Sequence, residues 1–415
     1  MKEIDKPALR EEIENFRAIF REVIITNCFE AIDPKEKLSR TVAHQMAEYK
    51  KHLNSFPEEI LELIFEMLIT HRMVKKNGLL QTKYRDLFDR QCASNPKNIP
   101  LFALRTQPPR FVFCEIDKKH GEDFFQAFDF LTQEKYLLYS PSITGYLDKG
   151  SVLFLFLAMF APDCAFSFNL VLPFNGGIQP FDLIYFAKLF DSDVVTMDDA
   201  CRQMERNPLP FLLLAKMGNA PHIVTKKGLR RITYCLSTIQ RHSLDPDSLN
   251  DTFFVKKSGS LYQLRPKRWH RAPHFCEAYY DAKKSCLTIA AATRVGYAKL
   301  VKEFRLPAQW EDPQYEATPP MRLVAEDITG KEPFCLKEMT RRFEKEQKPD
   351  PVKDETMRKI NDFLHNIMDD INARRPIDIE REAQKAGIEP ETAWDVYNAV
   401  MESLHGKKKS GNQTT

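Results

Sequence analysis

The run FVFCEIDKKHGEDFFQAFDFLTQEKYLLYS, from Phe111 to Ser140, and the run SVLFLFLAMFAPDCAFSFNLVL, from Ser151 to Leu172, decide the fold of the central part of this chain. Val112, Cys114 and Ile116 alternate with Phe113, Glu115 and Asp117, the period of two of a strand. Lys118-Lys119-His120-Gly121 breaks the run as a turn does. A second strand is expected from Asp123 to Leu131, and Lys135–Ser140 returns as its hairpin partner. Val152–Ala161 and Ala165–Leu172 complete the set, with Pro162-Asp163 turning between them. Val152–Ala161 is apolar on both faces. It is half the length of about 20 residues that a membrane helix needs, so it reads as a strand buried on both sides. Short strands this close in sequence predict a small antiparallel barrel or a tightly rolled sheet, with no membrane role.

Working outward, 415 residues exceed one ordinary core. The fold class expected is α+β. A helical domain is expected over 1–105, the barrel-like domain over 106–192, and a winged-helix-like region with a second hairpin over 193–305. A linker and exposed helix follow over 306–353, a helical module over 354–405, and a disordered tail over 406–415. Glu11–Phe29 carries Ile13, Phe16, Ile19, Phe20, Val23 and Ile24 on one helical stripe. A second helix is expected over Pro34–Leu53. Ser55 and Glu58 have the spacing of a capping box for a third. Thr196, followed by Asp198 and Asp199, opens a later helix. This explains the paired aspartates without catalysis, because neighbours at i,i+1 do not face one point. His71 and Cys28 read as packing residues.

The segment from Pro208 to Arg271 carries the functional expectation. An apolar helix at Leu209–Met217, a turn, and a helix from Lys226 to about His242 with Leu229, Ile232, Leu236 and Ile239 on one face are followed by a hairpin. Phe253–Lys256 and Leu261–Leu264 flank its basic tip. That is the layout of a winged helix-turn-helix, whose second helix enters the DNA major groove. From His222 to Arg271 there are 11 Lys/Arg against three Asp/Glu. The nucleic-acid-binding candidates are Lys226, Lys227, Arg230, Arg231, Lys256, Lys257, Arg265, Lys267 and Arg268. Trp269 among them suits a stacked base. The alternative is a protein-interaction scaffold that uses the barrel and the acidic C-terminal helices, with a protein partner on those helices. There, Ile377–Leu404 has seven Asp/Glu against two Lys/Arg, and carboxylates at Glu389, Glu391 and Asp395 would repel phosphates.

No phosphate-binding loop, GxGxxG, GxSxG or HExxH is present, so a non-enzymatic protein without cofactor is expected, ahead of an unrecognised hydrolase or transferase. His270, His274, Cys276 and Cys286 have zinc-ligand chemistry. In the second hairpin expected, His274–Tyr280 with Cys286–Ala291, the two cysteines lie about four residues apart along the strands, so no metal site is expected. Nine scattered cysteines without a C-x-x-C pair, and a charged Met1–Glu12, point to a reducing compartment, the cytoplasm. Phe111–Leu172, with FFQAFDFLTQEKYLLYSPSITGYLDKGSVLF, resembles the body of some bacterial proteins that end in a SEC-C zinc tail. Gly406–Thr415 holds no Cys or His, so the resemblance implies neither zinc nor a tail-borne partner here, and no residue is carried over.

Overall fold

The computed structural model describes residues 6–409, apart from 122, 131, 144–150, 175–177, 218–223, 226–227, 230–232, 272, 333–335, 347–350 and 373–376. It forms two compact units, Met1–Leu336 and Lys337–Thr415.

The first unit begins with α1 (Lys6–Phe20), which runs without a break into a π-helix at Arg21–Cys28 and then α2 (Phe29–Glu36). Ile13, Phe16, Phe20, Val23 and Ile24 of the apolar stripe are buried. The helix expected over 34–53 is divided. Lys37 takes a left-handed conformation (φ 54°), and the Asp33 carboxylate accepts from Ser39 N–H at 2.7 Å, starting a new helix. The result is α2, α3 (Leu38–Glu48) and α4 (Lys50–Leu53). The capping box at Ser55 does not form: Ser55 Oγ donates to the His52 carbonyl, and Pro57 opens α5 (Glu58–Val74) without a side-chain cap. α6 (Arg85–Ala93) follows. His71 is a packing residue. It is buried between the rings of Phe111 and Phe156, with Nε2 2.7 Å from Glu205 Oε2.

Five strands then close a barrel: β1 (Arg110–Lys119), β2 (Phe124–Asp129), β3 (Lys135–Tyr139), β4 (Val152–Ala161) and β5 (Cys164–Phe174), in the order β1-β2-β3-β5-β4. All ladders are antiparallel except β3–β5. Alternation sorts the side chains. Val112, Cys114, Ile116, Phe125, Ala127, Leu138, Leu153 and Leu155 fill the interior. Phe111, Phe113, Phe154, Phe156 and Phe166 face outward into the larger core made with the helices. This is why Val152–Ala161 is apolar on both faces. One end of the interior is polar. Arg110 Nη1 lies 2.8 Å from Asp129 Oδ2, and Asp129 is fully buried.

Barrels of this kind, as in the OB-fold, take ligands on the outer face of strands 2 and 3. Here that face is covered by the chain itself. Phe124, Leu137 and Tyr139 are buried, Tyr139 Oη donates to Glu14 of α1 at 2.7 Å, and Arg10 pairs with Asp123. The barrel is therefore a hub. Among the helices that follow it, α7 (Pro180–Lys188), α8 (Met197–Arg206) and α9 (Pro208–Met217), the last packs on β4 and β5. As expected, Thr196 caps α8, in a reciprocal box with Asp199.

The winged-helix layout is not found. At the described positions the helix expected over Lys226–His242 is replaced by the short strand β7 (Gly228–Leu229), which pairs with β6 (Val224–Thr225) just before it, and by β8 (Tyr234–Ile239). The spacing of Leu236 and Ile239 fits a helix. However, Cys235, Ser237 and Ile239 face one side of a sheet, and Leu236 and Thr238 the other. β8 joins β9 (Phe253–Ser258), β10 (Leu261–Pro266), β11 (Glu277–Asp281), β12 (Cys286–Ala291) and β13 (Tyr315–Ala317) in one antiparallel sheet, ordered β13-β8-β12-β11-β10-β9. α10 (Arg294–Glu303), capped by Thr293, packs Tyr297, Leu300 and Val301 on it.

The region expected as a linker is also corrected. β13 extends the sheet, and α11 (Pro319–Thr329) buries Met321, Ala325 and Ile328 in the same core as Leu183 and Phe186 of α7. The link is hydrogen-bonded as well: the Asp182 carboxylate accepts from Thr318 N–H at 2.7 Å and from Gln179 N–H at 2.9 Å.

The second unit holds α12 (Leu336–Glu346), α13 (Pro351–Asn372), α14 (Ile379–Ala386) and α15 (Pro390–Lys409). Phe363, Ile367, Ile379, Ala383 and Ala393 form its core. Gly387, at φ 67°, makes the tight turn between α14 and α15, a left-handed position that suits glycine. The eight described cysteines are free thiols. No described helix is long and apolar enough to cross a membrane.

Candidate nucleic-acid interface at the sheet edge

From Phe253 to Phe275 the chain has six Lys/Arg and no Asp/Glu. The sheet order makes β9 an edge strand, paired to β10 on one side. Because successive side chains on a strand point to opposite faces, the adjacent lysines of β9 separate. Lys256 lies on the face that carries Phe254 and, across the ladder, Arg265. Lys257 lies on the other face, with its Nζ 5.2 Å from the Tyr262 ring centroid.

Phe254 is the centre of the first face. It is 48% exposed, on a strand whose preceding residue, Phe253, is buried against Phe304. Lys267 Nζ lies 5.9 Å from its centroid, and the His270 ring meets it edge-on at 5.3 Å. His270 Nδ1 sits 2.8 Å from the Pro266 carbonyl, so Nδ1 carries the proton and Nε2 is left to the site. Arg265 is partly offset by Glu277 at 3.7 Å, and burial pushes the Glu277 carboxyl up. Lys256, Lys267 and Arg268 are exposed and have no carboxylate partner among the described residues. Beyond the turn, Phe275 is 57% exposed, with φ 41° and its N–H donating to the Arg271 carbonyl.

Five of the nine expected residues are thus described, and four of them, Lys256, Arg265, Lys267 and Arg268, belong to the edge face and the turn beside it. Lys257 belongs to the opposite face. Lys226, Lys227, Arg230 and Arg231 lie outside the described residues. Trp269 does not have the expected free ring: it packs beside the α10 core, and Lys299 Nζ lies 3.3 Å from its centroid. Phe254 and Phe275 were not singled out from sequence. The signal available for Phe254 was that only one of two neighbouring phenylalanines on a strand can point inward.

The four zinc-type side chains are used otherwise or kept apart. His270 is bound to Pro266, His274 Nδ1 lies 2.7 Å from Thr293 Oγ1, and Cys276 and Cys286 are buried, with thiols pushed up by burial. Among the described residues no group of three or more His, Cys, Asp or Glu is placed to hold a metal ion. No protein-family model, curated protein or solved structure matches the chain.

Proposed function

We propose that this protein binds single-stranded nucleic acid along the outer edge of its six-stranded sheet, at β9, β10 and the 266–275 turn. The observation that carries the reading is the exposed Phe254 ring, with Lys267 and His270 against it and Lys256 and Arg265 on its face. Cations that follow a phosphate backbone, interleaved with aromatic faces that accept unpaired bases, are the recurrent chemistry of single-strand recognition. Duplex DNA suits this surface less. Its bases are already stacked, and the described part of the segment expected as a groove helix includes the strands Gly228–Leu229 and Tyr234–Ile239.

The test is fluorescence anisotropy with a labelled oligothymidylate and a duplex of equal length. Tighter binding of the single strand is expected. Phe254→Ala should weaken it by about 1–3 kcal/mol, the usual worth of one base–aromatic stack. The ring is half exposed, so the melting temperature should change little. Equal affinity for single strand and duplex, or an unchanged F254A variant, would overturn the reading.

A further inference from the structure

On the far side of the barrel from its own interior, α1 and the π-helix face α5 across a cavity of about 290 Å³. Its floor is aromatic, with Phe168 of β5 the part-exposed ring: it stacks on the buried Phe156 of β4 at 4.9 Å and meets the buried Phe20 of α1 at 4.9 Å. Arg17, Arg21 and Ile25, four residues apart, line one wall, and Glu66 of α5 lines another. The eight-residue π-helix beginning at Arg21 shapes that wall, and such widened turns recur at functional sites.

The charges of the rim are not equivalent. Glu14 is occupied: it accepts from Tyr139 Oη at 2.7 Å and from Arg17 Nη1 at 2.6 Å. Arg21 and Glu66 both line the cavity, yet neither side chain has an ion-pair or hydrogen-bond partner among the described residues. A guanidinium and a carboxylate that share a cavity without pairing to each other leave room for a ligand carrying both complementary charges. A simple anion would leave Glu66 facing it unpaired, and a simple cation would do the same to Arg21. The volume lies at the small end of ligand pockets, which excludes a dinucleotide and suits a molecule of amino-acid size.

We propose that this cavity binds a zwitterionic α-amino acid with an apolar, preferentially aromatic, side chain. Its carboxylate is taken by Arg21, where a planar guanidinium can make two parallel hydrogen bonds. Its ammonium is taken by Glu66, and its side chain lies on the phenylalanine floor.

The test is isothermal titration of the full chain with L-phenylalanine, 3-phenylpropionate, which lacks the ammonium, and phenethylamine, which lacks the carboxylate. L-Phenylalanine should bind at least about tenfold tighter than either analogue, tenfold being the low end for a single charge-assisted hydrogen bond. Arg21→Gln should bring L-phenylalanine down to the level of phenethylamine, and Glu66→Gln down to that of 3-phenylpropionate. Arg21 is exposed, so its variant tests the cavity without disturbing the core. Absence of saturable binding at millimolar L-phenylalanine, equal affinity for all three compounds, or variants that bind as the parent does would overturn the proposal.

Discussion

Replacing Lys256 and Lys257 one at a time by Gln separates a binding face from general positive charge. The substitutions remove the same charge from adjacent residues of the same edge strand, but from opposite faces of the sheet. With Lys256, Lys267 and Arg268, all exposed and without a carboxylate partner among the described residues, each meeting one phosphate, about three phosphates are neutralised. For single strands the slope of log affinity against log salt is then roughly −0.7 × 3, or about −2. Between 50 and 200 mM salt the affinity should fall by about 20-fold. Lys256→Gln removes one contact, which lowers the slope to about −1.4 and the loss to about sevenfold. Lys257→Gln should leave both at the parental value. Anisotropy titrations of one labelled oligonucleotide at four salt concentrations give each slope directly. If both variants reduce the slope equally, the protein responds to net charge and the face has no special role. If neither does, the interface lies elsewhere.

Three further outcomes follow from the packing. Arg110→Met should cost about 3–5 kcal/mol in urea denaturation, because it removes the cation 2.8 Å from the fully buried Asp129 carboxylate, whose Oδ1 keeps neutral donors such as the Thr132 N–H, whereas R110M with D129L should recover part of that loss. Gly296→Ala should lower the melting temperature, by about 1–3 kcal/mol in stability, because its Cβ would lie 2.9 Å from both Cys276 Sγ and His274 Cβ. Asp182 is pushed up to about 6, chiefly by burial and against the hydrogen bonds from Thr318 and Gln179. Between about pH 4, where an unfolded aspartate titrates, and about pH 6 the folded state therefore holds the proton more firmly. Its contribution is complete below that window and lost as pH rises through it, at most about 3 kcal/mol. Melting temperatures recorded from pH 4 to 7 should lose that part of their fall in D182N.

Local periodicity read well where one face of an element met one environment. Val112, Cys114 and Ile116 point into the barrel because their neighbours Phe111 and Phe113 point out, and that alternation is written in the chain. The parallel β3–β5 pairing that closes the barrel was not legible, because it depends on which distant strands meet. β8 was misread for a related reason. In Tyr234–Ile239 both faces are apolar enough to be buried, so period two is weak and the spacing of Leu236 to Ile239 mimics a helix. β13 is three residues long and set among prolines, so only its pairing with β8 and the Arg294–Glu316 ion pair that holds it identify it as a strand. At the candidate site the charges were visible in the sequence, but their distribution was not. Nothing in the pair Lys256-Lys257 says which lysine shares a face with Phe254 until the strand and its register are known.

The edge position of β9 raises a competing role for the same lysines, and the two roles can be told apart. An unpaired strand edge invites pairing with another chain, and lysines along it oppose that. This protection depends on charge near the open backbone and not on which face a side chain occupies, so Lys256 and Lys257 should contribute equally. Phe254, half exposed on the same strand, works against protection, since an edge guarded only for solubility gains nothing from an outward phenylalanine. Under the proposed function, a bound single strand covers that ring. Light scattering of concentrated protein should rise by the same amount in Lys256→Gln and Lys257→Gln. It should fall in Phe254→Ala, and bound oligonucleotide should suppress it in the parent. A parent whose scattering is unaffected by saturating single strand would mean that the ring remains open in the complex, and the aromatic part of the proposed interface would have to be given up.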